Sequence, residues 1–480
     1  MKLLVANRGE IAVRIMRTAR EMGIATVAVY SDADTHALHV RTADQAVCIG
    51  ASPPIESYLS IAKLLAAAVT TGCDAVHPGY GFLSENAGFA QAALDAGLTW
   101  VGPPPFAIAA MGEKFGARQR MQAADVPVVP GGLATDPEAR SLPMPLLVKA
   151  TAGGGGRGMR IVLRPEELDA AIQAASAEAL AAFGDGSVYI ERLIPNARHV
   201  EVQILADQQG QTAALGLREC SVQRRHQKLI EESPPANVSP AVAIAMQAAA
   251  VNAARAVAYV GAGTVEFLLA PDGTFCFIEM NTRIQVEHPV TECVYGIDLV
   301  REQLRIAQGE PLASYATAPL GHAIEVRLTA EDAGAGFIPS PGILSRWRPP
   351  FGAGIRIDSA VDEGDTVPAV YDSLMAKLIV HAPDRSSAIA RMVRALSEFE
   401  ILGVPTPAEL CRDVLAHGDF AAGRVHTTWL EPFAAQWSAA PVDDVVLIAA
   451  SLLANEAPAG QASSAPARAP GPWTSLGSWR

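Results

Sequence analysis

The feature that most constrains the fold is a strand-helix-strand pattern at the start of the chain. The apolar run KLLVA at 2–6 leads into a segment in which Ile11 and Ile15 recur at helical spacing. The run IATVAVY at 24–30 then reads as a second strand. A helix between two strands is typical of a βαβ unit, whose strands pair in parallel. The sequence therefore predicts an open, doubly wound α/β sheet at this end of the chain.

The same alternation continues beyond this unit. Helical patterns near 57–71 and 86–97 alternate with short apolar runs at 74–76 and 98–101. The turn after the first strand reads Asn-Arg-Gly-Glu at 7–10. It lacks the G-x-G-x-x-G fingerprint, so the sequence disfavours a dinucleotide site in this domain.

A glycine-rich loop lies between two further predicted strands. The runs PLLVK at 145–149 and IVL at 161–163 flank TAGGGGRGMR at 151–160. Glycine tolerates positive φ and lets backbone N–H groups approach an anion. The loop lacks the Walker A pattern, so it predicts either an anion-binding hairpin or a flexible surface hairpin. Further elements are predicted at 165–183 (helix), 188–191 (strand), 240–260 (helix) and 297–308 (helix).

Composition excludes several classes of protein. The formal net charge of −13 disfavours a broad surface for nucleic acid. None of the six cysteines forms a C-x-x-C pair, so we expect reduced thiols and a cytoplasmic protein, with the mitochondrial matrix as the alternative if an N-terminal part is missing. No run of about 18 apolar residues predicts a membrane span. Residues 456–472, rich in Ala, Pro, Ser and Gly, are typical of a linker.

A predicted hairpin brings two glutamates together. Apolar runs at 264–269 and 275–278 flank Pro-Asp-Gly, a turn signal. If the turn is centred on Asp272-Gly273, Glu266 and Glu279 are cross-strand neighbours with Cβ atoms roughly 5 Å apart. Two buried carboxylates at that separation repel, and a divalent cation such as Mg²⁺ between them removes the repulsion. The alternative is a pair of solvated glutamates on an edge hairpin.

Polar residues alternate in the segment that follows, EMNTRIQVEH at 279–288. In an extended chain, alternate side chains share a face, which here carries Glu279, Asn281, Arg283, Gln285 and Glu287. Glu and Asn suit a metal ion, Arg suits a planar anion, and a second Glu suits a base. The alternative is one solvated face of an amphipathic strand.

A basic segment, RRHQK at 224–228, stands out in this acidic chain. Alternation predicts that Arg224, His226 and Lys228 point the same way, toward a polyphosphate or a small oxyanion. A basic surface turn is the alternative. Lys149, just before the glycine loop, is expected either to offer a charge to phosphate or to end a strand in solvent.

Six segments resemble the signature segments of biotin carboxylases, in the expected order over residues 1–445. They are ANRGEIA (6–12), HPGYGFLSEN (77–86), GGGGRGMR (153–160), QRRHQK (223–228), FIEMNTRIQVEHPVTE (277–292) and YDSLMAKL (371–378). The segment at 277–292 separates this family from other ATP-grasp ligases, such as carbamoyl-phosphate synthetases.

The resemblance implies a multidomain α/β and α+β fold. Its parts would be a Rossmann-like domain at 1–112, an ATP-grasp region at 113–315 with a lid at about 129–193, and a biotin carboxylase C-terminal domain at 316–445. The tail at 446–480, with its linker, resembles the junction to further domains, so we expect the chain to be cut from a longer polypeptide.

The resemblance also implies an ATP site and a metal site. The ATP-site residues would be Lys114, Lys149, Gly155, Gly156, Glu191, Arg192, Leu193, Ile194, His199, Gln223 and His226. Position 192 departs from the family, which often has Lys there, but a backbone role near the adenine should survive. Mg²⁺, or Mn²⁺ in its place, would bind Glu266, Glu279 and Asn281.

The implied reaction is carboxylation of biotin through carboxyphosphate, an ATP-dependent ligase activity that forms a C–N bond. The bicarbonate contacts would be Lys228, Arg283, Gln285 and the backbone of Val286. Glu287 resembles the family's base toward bicarbonate, and Arg327 resembles the arginine that stabilises the biotin enolate.

The implied partners are a biotin carboxyl carrier and a carboxyltransferase, in a homodimer or a larger complex, without nucleic acid or membrane. Carrier domains present Met-Lys-Met, and the only Met-Lys here is Met1-Lys2. Biotin is therefore expected on another polypeptide or on a missing C-terminal part. The acyl acceptor stays open among propionyl-, methylcrotonyl-, geranyl- and acetyl-CoA. The competing hypotheses are an ATP-grasp ligase with another acceptor and a non-catalytic ATP-binding scaffold.

Overall fold

Short apolar runs form a parallel sheet at the N-terminus. The computed structural model describes residues 1–151, 159–316 and 318–441, together with Val445 and Ile448. Its first elements are β1 (Lys2–Val5), α1 (Gly9–Glu21), β2 (Ala25–Ser31), α2 (Leu38–Thr42), β3 (Gln45–Gly50), α3 (Ile61–Thr70), β4 (Ala75–His77), α4 (Ala87–Asp95), β5 (Thr99–Trp100) and α5 (Pro105–Gly112). The strand order is β3-β2-β1-β4-β5, and all neighbours are parallel. The predicted doubly wound sheet is confirmed.

Two elements of this domain differ from what the sequence predicted. Strand β3 was not predicted, because it is the sheet's edge and only Ile49 of its side chains is buried, which leaves almost no apolar signal. The helix expected from residue 57 begins at Ile61, because a separate 3-10 turn at Pro54–Glu56 precedes it.

A small α/β layer follows. Its elements are α6 (Lys114–Ala123), β6 (Gly131–Leu133), α7 (Pro137–Arg140), β7 (Leu146–Ala150), β8 (Arg160–Val162), α8 (Leu168–Phe183) and β9 (Val188–Arg192). The strands form an antiparallel sheet in the order β6-β9-β7-β8, with α8 packed on it. The predicted strands on either side of the glycine loop are confirmed. Gly155 and Gly156, predicted to contact ATP, lie outside the described residues.

The central element of the fold is an eight-stranded antiparallel sheet. Its region comprises β10 (Arg198–Ala206), β11 (Thr212–Arg224), β12 (Gln227–Ser233), α9 (Pro240–Ala256), β13 (Gly261–Leu269), β14 (Phe275–Asn281), α10 (His288–Tyr295), α11 (Leu299–Ala307), β15 (His322–Thr329), β16 (Glu331–Asp332), β17 (Ile338–Pro339), β18 (Gly342–Ile343), β19 (Arg346–Arg348), β20 (Ile355–Ser359), β21 (Thr366–Val367), β22 (Leu374–Ala382), α12 (Arg385–Glu398), β23 (Glu400–Leu402), α13 (Ala408–Ala416), α14 (Gly418–Ala421) and α15 (Leu430–Gln436). The strand order is β14-β13-β10-β11-β12-β15-β22-β20. Strand β12 lies before residue 316 and β15 lies after it, and the two strands pair. The predicted ATP-grasp region and the predicted C-terminal domain therefore contribute strands to one sheet.

This sheet buries charge as well as apolar surface. Helix α9 covers an apolar cluster with Val200, Val202 and Phe267, and helices α12 and α13 cover another around β15 and β22. Six charged side chains of the sheet are nevertheless fully buried, namely Glu201, Arg218, Glu231, Glu325, Asp358 and Lys377. Because a buried charge is costly unless it is paired or neutralised, these positions need a physical explanation.

Two further predictions concern cysteines and membrane spans. All six cysteines lie in the described part of the chain and all are free thiols, as predicted. Among the described helices, none is both long enough and apolar enough to cross a bilayer. By contact density the chain divides into units 1–437 and 438–480, and all the elements named above belong to the first.

Candidate active site

A cavity of about 1110 Å³ collects most of the predicted site residues. Of the predicted set, its walls include Lys114, Lys149, Leu193, Ile194, His199, Gln223, His226, Lys228, Glu266, Glu279, Asn281, Arg283, Gln285, Val286 and Arg327. Of the predicted residues that the structure describes, three are not part of the walls. Glu287 is fully buried behind them, Glu191 is buried, and the side chain of Arg192 is exposed.

The hairpin β13–β14 pairs Glu266 with Glu279, as predicted, but the turn differs from the predicted one. Near the turn Phe267 pairs with Phe277, so the loop is centred on Asp272 rather than between Asp272 and Gly273. On that register Glu266 would face Ile278. A β-bulge at Ile278 adds one residue to β14 and brings Glu279 opposite Glu266.

The pairing extends into a row of charged side chains across four strands. Glu266 also pairs with Glu201 on β10, and Glu201 pairs with Arg218 on β11. Directly paired residues of an antiparallel sheet lie on one face, so Glu279, Glu266, Glu201 and Arg218 form a continuous row. The sequence did not reveal Glu201 or Arg218: they pair across the consecutive strands β10 and β11, and Glu201 joins the site only through Glu266 on β13, more than 50 residues further along the chain.

Lys228 holds three carboxylates at the centre of the cavity floor. Its Nζ donates to Glu201 Oε2 at 2.6 Å, to Glu266 Oε1 at 2.9 Å and to Glu287 Oε1 at 2.5 Å. We call Lys228 with Glu201, Glu266 and Glu287 the Lys228 cluster. Burial disfavours the charged amine, but the three carboxylates hold the pKa of Lys228 well above its usual value.

Glu266 is an ionised carboxylate with many donors. Its Oε1 also accepts from the amides of Asn281 and Gln285, each at 2.9 Å, and His199 Nε2 lies 3.0 Å from its Oε2. Burial alone would raise the pKa of Glu266, but Lys228 and His199 more than offset that effect and lower it well below its usual value.

Glu279 differs from Glu266 although the two are paired. Its carboxylate lines the cavity and makes no hydrogen bond or ion pair with the residues that the structure describes. Burial and the negative charge of Glu266 raise the pKa of Glu279. The rise is a consequence of the repulsion expected between two buried carboxylates.

The residues fit the predicted Mg²⁺ site. Glu279 offers free carboxylate oxygens next to Glu266, and Asn281 on the same strand adds an amide oxygen, which is the oxygen chemistry that Mg²⁺ prefers. His199, Glu201 and Glu266 also bring three ligand atoms within 4.8 Å of one another. In that second group, however, the amine of Lys228 bonds both carboxylates and takes the place of a cation.

The prediction of one extended face from 279 to 287 is wrong beyond Asn281. Strand β14 ends at Asn281, the next residues form a loop, and helix α10 begins at His288 with Glu287 as its N-cap residue. The polar side chains still converge, because hydrogen bonds hold the loop. Arg283 donates to Asn281 Oδ1 at 2.9 Å, to Gln285 Oε1 at 3.0 Å and to Glu85 at 3.0 Å.

Glu287 is held on both oxygens by cations. Lys228 donates to Oε1, and the Nη2 of Arg327 donates to Oε2 at 3.0 Å. Burial alone would raise the pKa of Glu287, but Lys228, Arg327 and Arg218 hold it well below its usual value. Glu287 is therefore an ionised carboxylate at neutral pH, able to accept a proton.

Arg224, His226 and Lys228 all line the cavity, but the predicted strand alternation that would place them on one face is wrong. A tight turn at 225–226, with positive φ at both residues, separates β11 from β12. Lys228 pairs with Gln223, and Arg224 pairs with Gln227 on the other face of the hairpin. Arg224 instead donates to the carbonyl of Gly336 and lies 4.6 Å from the ring centroid of Phe337.

The predicted ATP-site residues come from two parts of the fold: His199, Gln223 and His226 belong to the central sheet and its β11–β12 turn, and others belong to the small α/β layer. Lys149, on β7, donates to Glu191 Oε2 at 2.6 Å. Leu193 and Ile194 follow β9 and line the cavity, while Lys114 begins α6. The exposed side chain of Arg192 agrees with a role for its backbone alone.

Sequence patterns predicted no role for several residues that line the cavity. They include Asn7, Arg8, Glu10, Tyr80, Phe337, Tyr371 and Asp372. Asn7, Tyr80 and Tyr371 lie in the segments ANRGEIA, HPGYGFLSEN and YDSLMAKL, so the motifs were the signal. What the sequence lacked was the register that brings these loops to one cavity.

Three family models match the chain. The biotin carboxylase N-terminal domain matches residues 1–108, the ATP binding domain of the carbamoyl-phosphate synthase L chain matches 113–315, and the biotin carboxylase C-terminal domain matches 325–432.

Two relatives and one solved structure are closely similar over nearly the whole chain. A biotin carboxylase of Nostoc sp. is 51% identical over 439 residues, 90% of this chain and 98% of the relative. The mitochondrial methylcrotonoyl-CoA carboxylase subunit alpha of Oryza sativa subsp. japonica is 49% identical over 443 residues, 90% of this chain and 60% of the relative.

The structure is the biotin carboxylase domain dimer of Hydrogenobacter thermophilus 2-oxoglutarate carboxylase, in complex with MgADP, ADP and bicarbonate. It has a TM-score of 0.87, 43% identity, and covers 91% of this chain and 99% of that one. The chain belongs to the biotin carboxylase family of ATP-grasp ligases.

Proposed function

We propose that this chain uses MgATP and bicarbonate to carboxylate biotin on a carrier, as the first half-reaction of an acyl-CoA carboxylase. The observation that carries the proposal is Glu287, an ionised carboxylate held between Lys228 and Arg327 beside the Glu266–Glu279 pair. These groups together offer a base, cations for an anionic substrate and a place for Mg²⁺.

Bicarbonate would bind where cationic and amide donors converge. Arg283 lines the cavity and already bonds Gln285, so the two can share one planar anion. Lys228 donates to three carboxylates, so it would contact an incoming anion by exchanging one of those hydrogen bonds for one to the anion. The bicarbonate bound by the Hydrogenobacter domain supports this assignment.

The first step is phosphoryl transfer. A bicarbonate oxygen attacks the γ-phosphorus of ATP, the bond from that phosphorus to ADP breaks, and Glu287 takes the bicarbonate proton. Lys114 and Lys149 would neutralise phosphate charge, which is most of the catalysis that phosphoryl transfer needs. Glu266, Glu279 and Asn281 would hold Mg²⁺, which supplies charge neutralisation at the phosphates when bound.

The second step consumes the carboxyphosphate. It breaks down to CO₂ and phosphate, and the phosphate takes the ureido N–H proton of biotin. The resulting biotin anion attacks CO₂ to form the new N–C bond, and the guanidinium of Arg327 stabilises the negative oxygen. Carboxyphosphate hydrolyses readily, so the cavity must exclude water while it exists.

The finer assignment is an acyl-CoA carboxylase with a propionyl-, methylcrotonyl-, geranyl- or acetyl-CoA acceptor. The similarity to the methylcrotonoyl-CoA carboxylase subunit alpha supports that class. We infer a carrier and a carboxyltransferase as partners, and a homodimer like that of the Hydrogenobacter domain.

ADP release with MgATP, measured with and without bicarbonate and free biotin, tests the proposal. We expect release to need bicarbonate, to rise with biotin, and to lose the biotin response in Arg327→Ala. Release that ignores both compounds would instead assign the chain to an ATP-grasp ligase with another acceptor. ATP binding without release would favour a scaffold.

A further inference from the structure

Two carboxyls behind Arg327 are not used by the chemistry proposed above. Glu231 on β12 and Glu325 on β15 face each other directly in the antiparallel ladder. We call them the Glu231–Glu325 pair. Both are 0% exposed, and paired side chains of this kind have Cβ atoms about 5 Å apart. Two ionised carboxylates cannot share such a place cheaply, because burial and mutual repulsion both penalise the second charge.

The two members of the pair have different partners. Glu231 Oε1 accepts a hydrogen bond from Arg327 Nε at 2.6 Å. Neither oxygen of Glu325 has a hydrogen-bond partner among the described residues. A buried carboxylate without a donor is far costlier than a buried neutral acid. The geometry therefore places the negative charge on Glu231 and the proton on Glu325.

The nearest amine does not change that assignment. Lys377 lies on the neighbouring strand β22, opposite Arg327. Its Nζ donates to the carbonyl of Val286 at 2.8 Å and lies 3.2 Å from Glu10 Oε1. Glu10 thus takes the ion pair that Glu325 would need to stay ionised.

Glu231 determines which edge of Arg327 faces the ligand. The guanidinium bonds Glu231 through Nε and Glu287 through Nη2. Its Nη1 has no hydrogen bond to the described part of the chain, and Arg327 lines the cavity. With Nε bonded to Glu231 and Nη2 bonded to Glu287, Nη1 is the nitrogen left to meet the biotin oxygen.

We propose that Glu231 is a positioning residue for Arg327, and that Glu325 is kept as a neutral acid so that Glu231 can carry the charge. This inference rests on the function proposed above, because it assigns Arg327 to biotin.

The charge on Glu231 should depend on pH in the assay range. Burial raises the pKa of Glu231 to about 7, with a further rise from Glu287 that Arg327 and Lys228 partly offset. Burial also raises the pKa of Glu325 well above its usual value. The titratable and charged groups that face the pair are Arg327, Glu287, Lys228, Lys377, Cys220, Cys293 and Cys411. As pH falls through about 7, Glu231 gains a proton and its hold on Arg327 weakens.

The test separates the two half-steps of the proposed reaction. Bicarbonate-dependent ADP release in the absence of biotin does not involve the contact between Arg327 and biotin. The additional ADP release that biotin causes does depend on that contact. We expect Glu231→Gln to keep the biotin-independent ADP release. It should lower the additional release caused by biotin by roughly tenfold to a hundredfold, the range for a misplaced catalytic group. The wild type should show a biotin response that rises with pH near 7, and Glu231→Gln should lack that rise.

Two variants serve as matched controls. Glu325→Gln replaces a neutral acid by a neutral amide of the same shape and should keep both activities and the rise near pH 7. Glu232→Gln changes the next residue of β12, whose carboxylate is equally buried but bonds His322 and Arg385 rather than Arg327. It should leave the biotin response and its pH profile unchanged.

A Glu231→Gln variant with the wild-type biotin response and pH profile would overturn the proposal. Loss of the bicarbonate requirement in the wild type would instead overturn the proposed function, and this inference with it. If Glu231→Gln does not fold, Glu231→Asp should retain the pH-dependent rise with a weaker biotin response.

Infrared spectroscopy tests the neutral acid independently. At pH 8 the wild type should show the carbonyl band of a protonated buried acid, and Glu325→Gln should lack it. A wild-type spectrum without that difference would show that Glu325 is ionised and would overturn the proposal.

Discussion

The Lys228 cluster and the Glu231–Glu325 pair both contain buried glutamates of the eight-stranded sheet, yet the charge of these glutamates differs between the two regions. In the cluster one amine bonds three carboxylates, and Glu266 and Glu287 have pKa values far below normal. In the pair one guanidinium bonds one carboxyl and leaves the other without a donor, so both pKa values rise.

The difference shows that burial alone does not decide the charge of a glutamate. Burial acts to raise the pKa of Glu266, Glu287, Glu231 and Glu325 alike, and the number of cationic donors determines whether that effect wins. A base toward bicarbonate has to be ionised before its substrate arrives, which the Lys228 cluster ensures. A residue that only supports an arginine can share its surroundings with a neutral acid.

The largest expected effect comes from removing the base. Glu287→Gln should lower bicarbonate-dependent ADP release by about 10²–10⁴-fold, the usual contribution of a general base, because an amide cannot take the proton. Steady-state ADP release measures it. Glu219→Gln is the control, since Glu219 is equally buried but pairs with Arg198 away from the cavity. A Glu287→Gln enzyme as active as that control would remove Glu287 from the chemistry.

The next effect is on stability. Lys228→Met leaves three buried carboxylates without their shared cation and should lower the free energy of unfolding by about 3–5 kcal/mol at neutral pH. Urea unfolding measures it. Lys149→Met, which removes an amine with a single carboxylate partner, should cost only about 1 kcal/mol. Equal losses in the two variants would mean that the cluster does not depend on Lys228.

Opposite pH dependences should distinguish the two regions. The pKa of Glu266 is lowered in the fold, so its contribution to stability is present above its unfolded pKa of about 4.3 and is lost as pH falls. Glu266→Gln should therefore be most destabilising near neutral pH and less so in acid.

Glu325 should show the reverse. Its pKa is raised in the fold, so the wild type loses stability as pH rises above about 4.3. Glu325→Gln should gain stability relative to the wild type over that range, because an amide does not acquire a buried negative charge. Unfolding midpoints at several pH values measure both variants. If the stability changes caused by Glu266→Gln and Glu325→Gln varied with pH in the same way, the proposed contrast between the two regions would be wrong.

The smallest effect is expected from a charge outside both regions. The side chain of Arg192 is exposed and its backbone N–H donates to the carbonyl of Pro130. Arg192→Lys should change stability by no more than about 0.5 kcal/mol and leave ADP release unchanged. A marked rise in the ATP requirement would show that the guanidinium itself contacts the nucleotide.

Local sequence patterns predicted the parts of the site that depend on one turn or one strand. The Glu266–Glu279 pair follows from a hairpin, and even there the half-residue error in the turn was corrected by a bulge at Ile278 that no pattern signals. The prediction of an extended face as far as Glu287 failed because the alternation of polar and apolar residues continues in the sequence after strand β14 has ended.

The buried charges could not be predicted at all. Four of them are charged residues in strands, and the role of each depends on a partner on another strand: Glu201, Arg218, Glu231 and Glu325. For Glu231 and Glu325 the register joins strands far apart in the chain, so it is set by the packing of the assembled sheet rather than by neighbours in the sequence. Only the motifs that surround these residues pointed to the cavity.

The most direct test of the central claim is transfer of labelled carbon from bicarbonate to free biotin in the presence of MgATP. The account predicts labelled, acid-labile carboxybiotin from the wild type, and none from Glu287→Gln or Arg327→Ala. ADP release from the wild type with no label on biotin would contradict it, and would mean that the base, the cations and the metal site serve another acceptor.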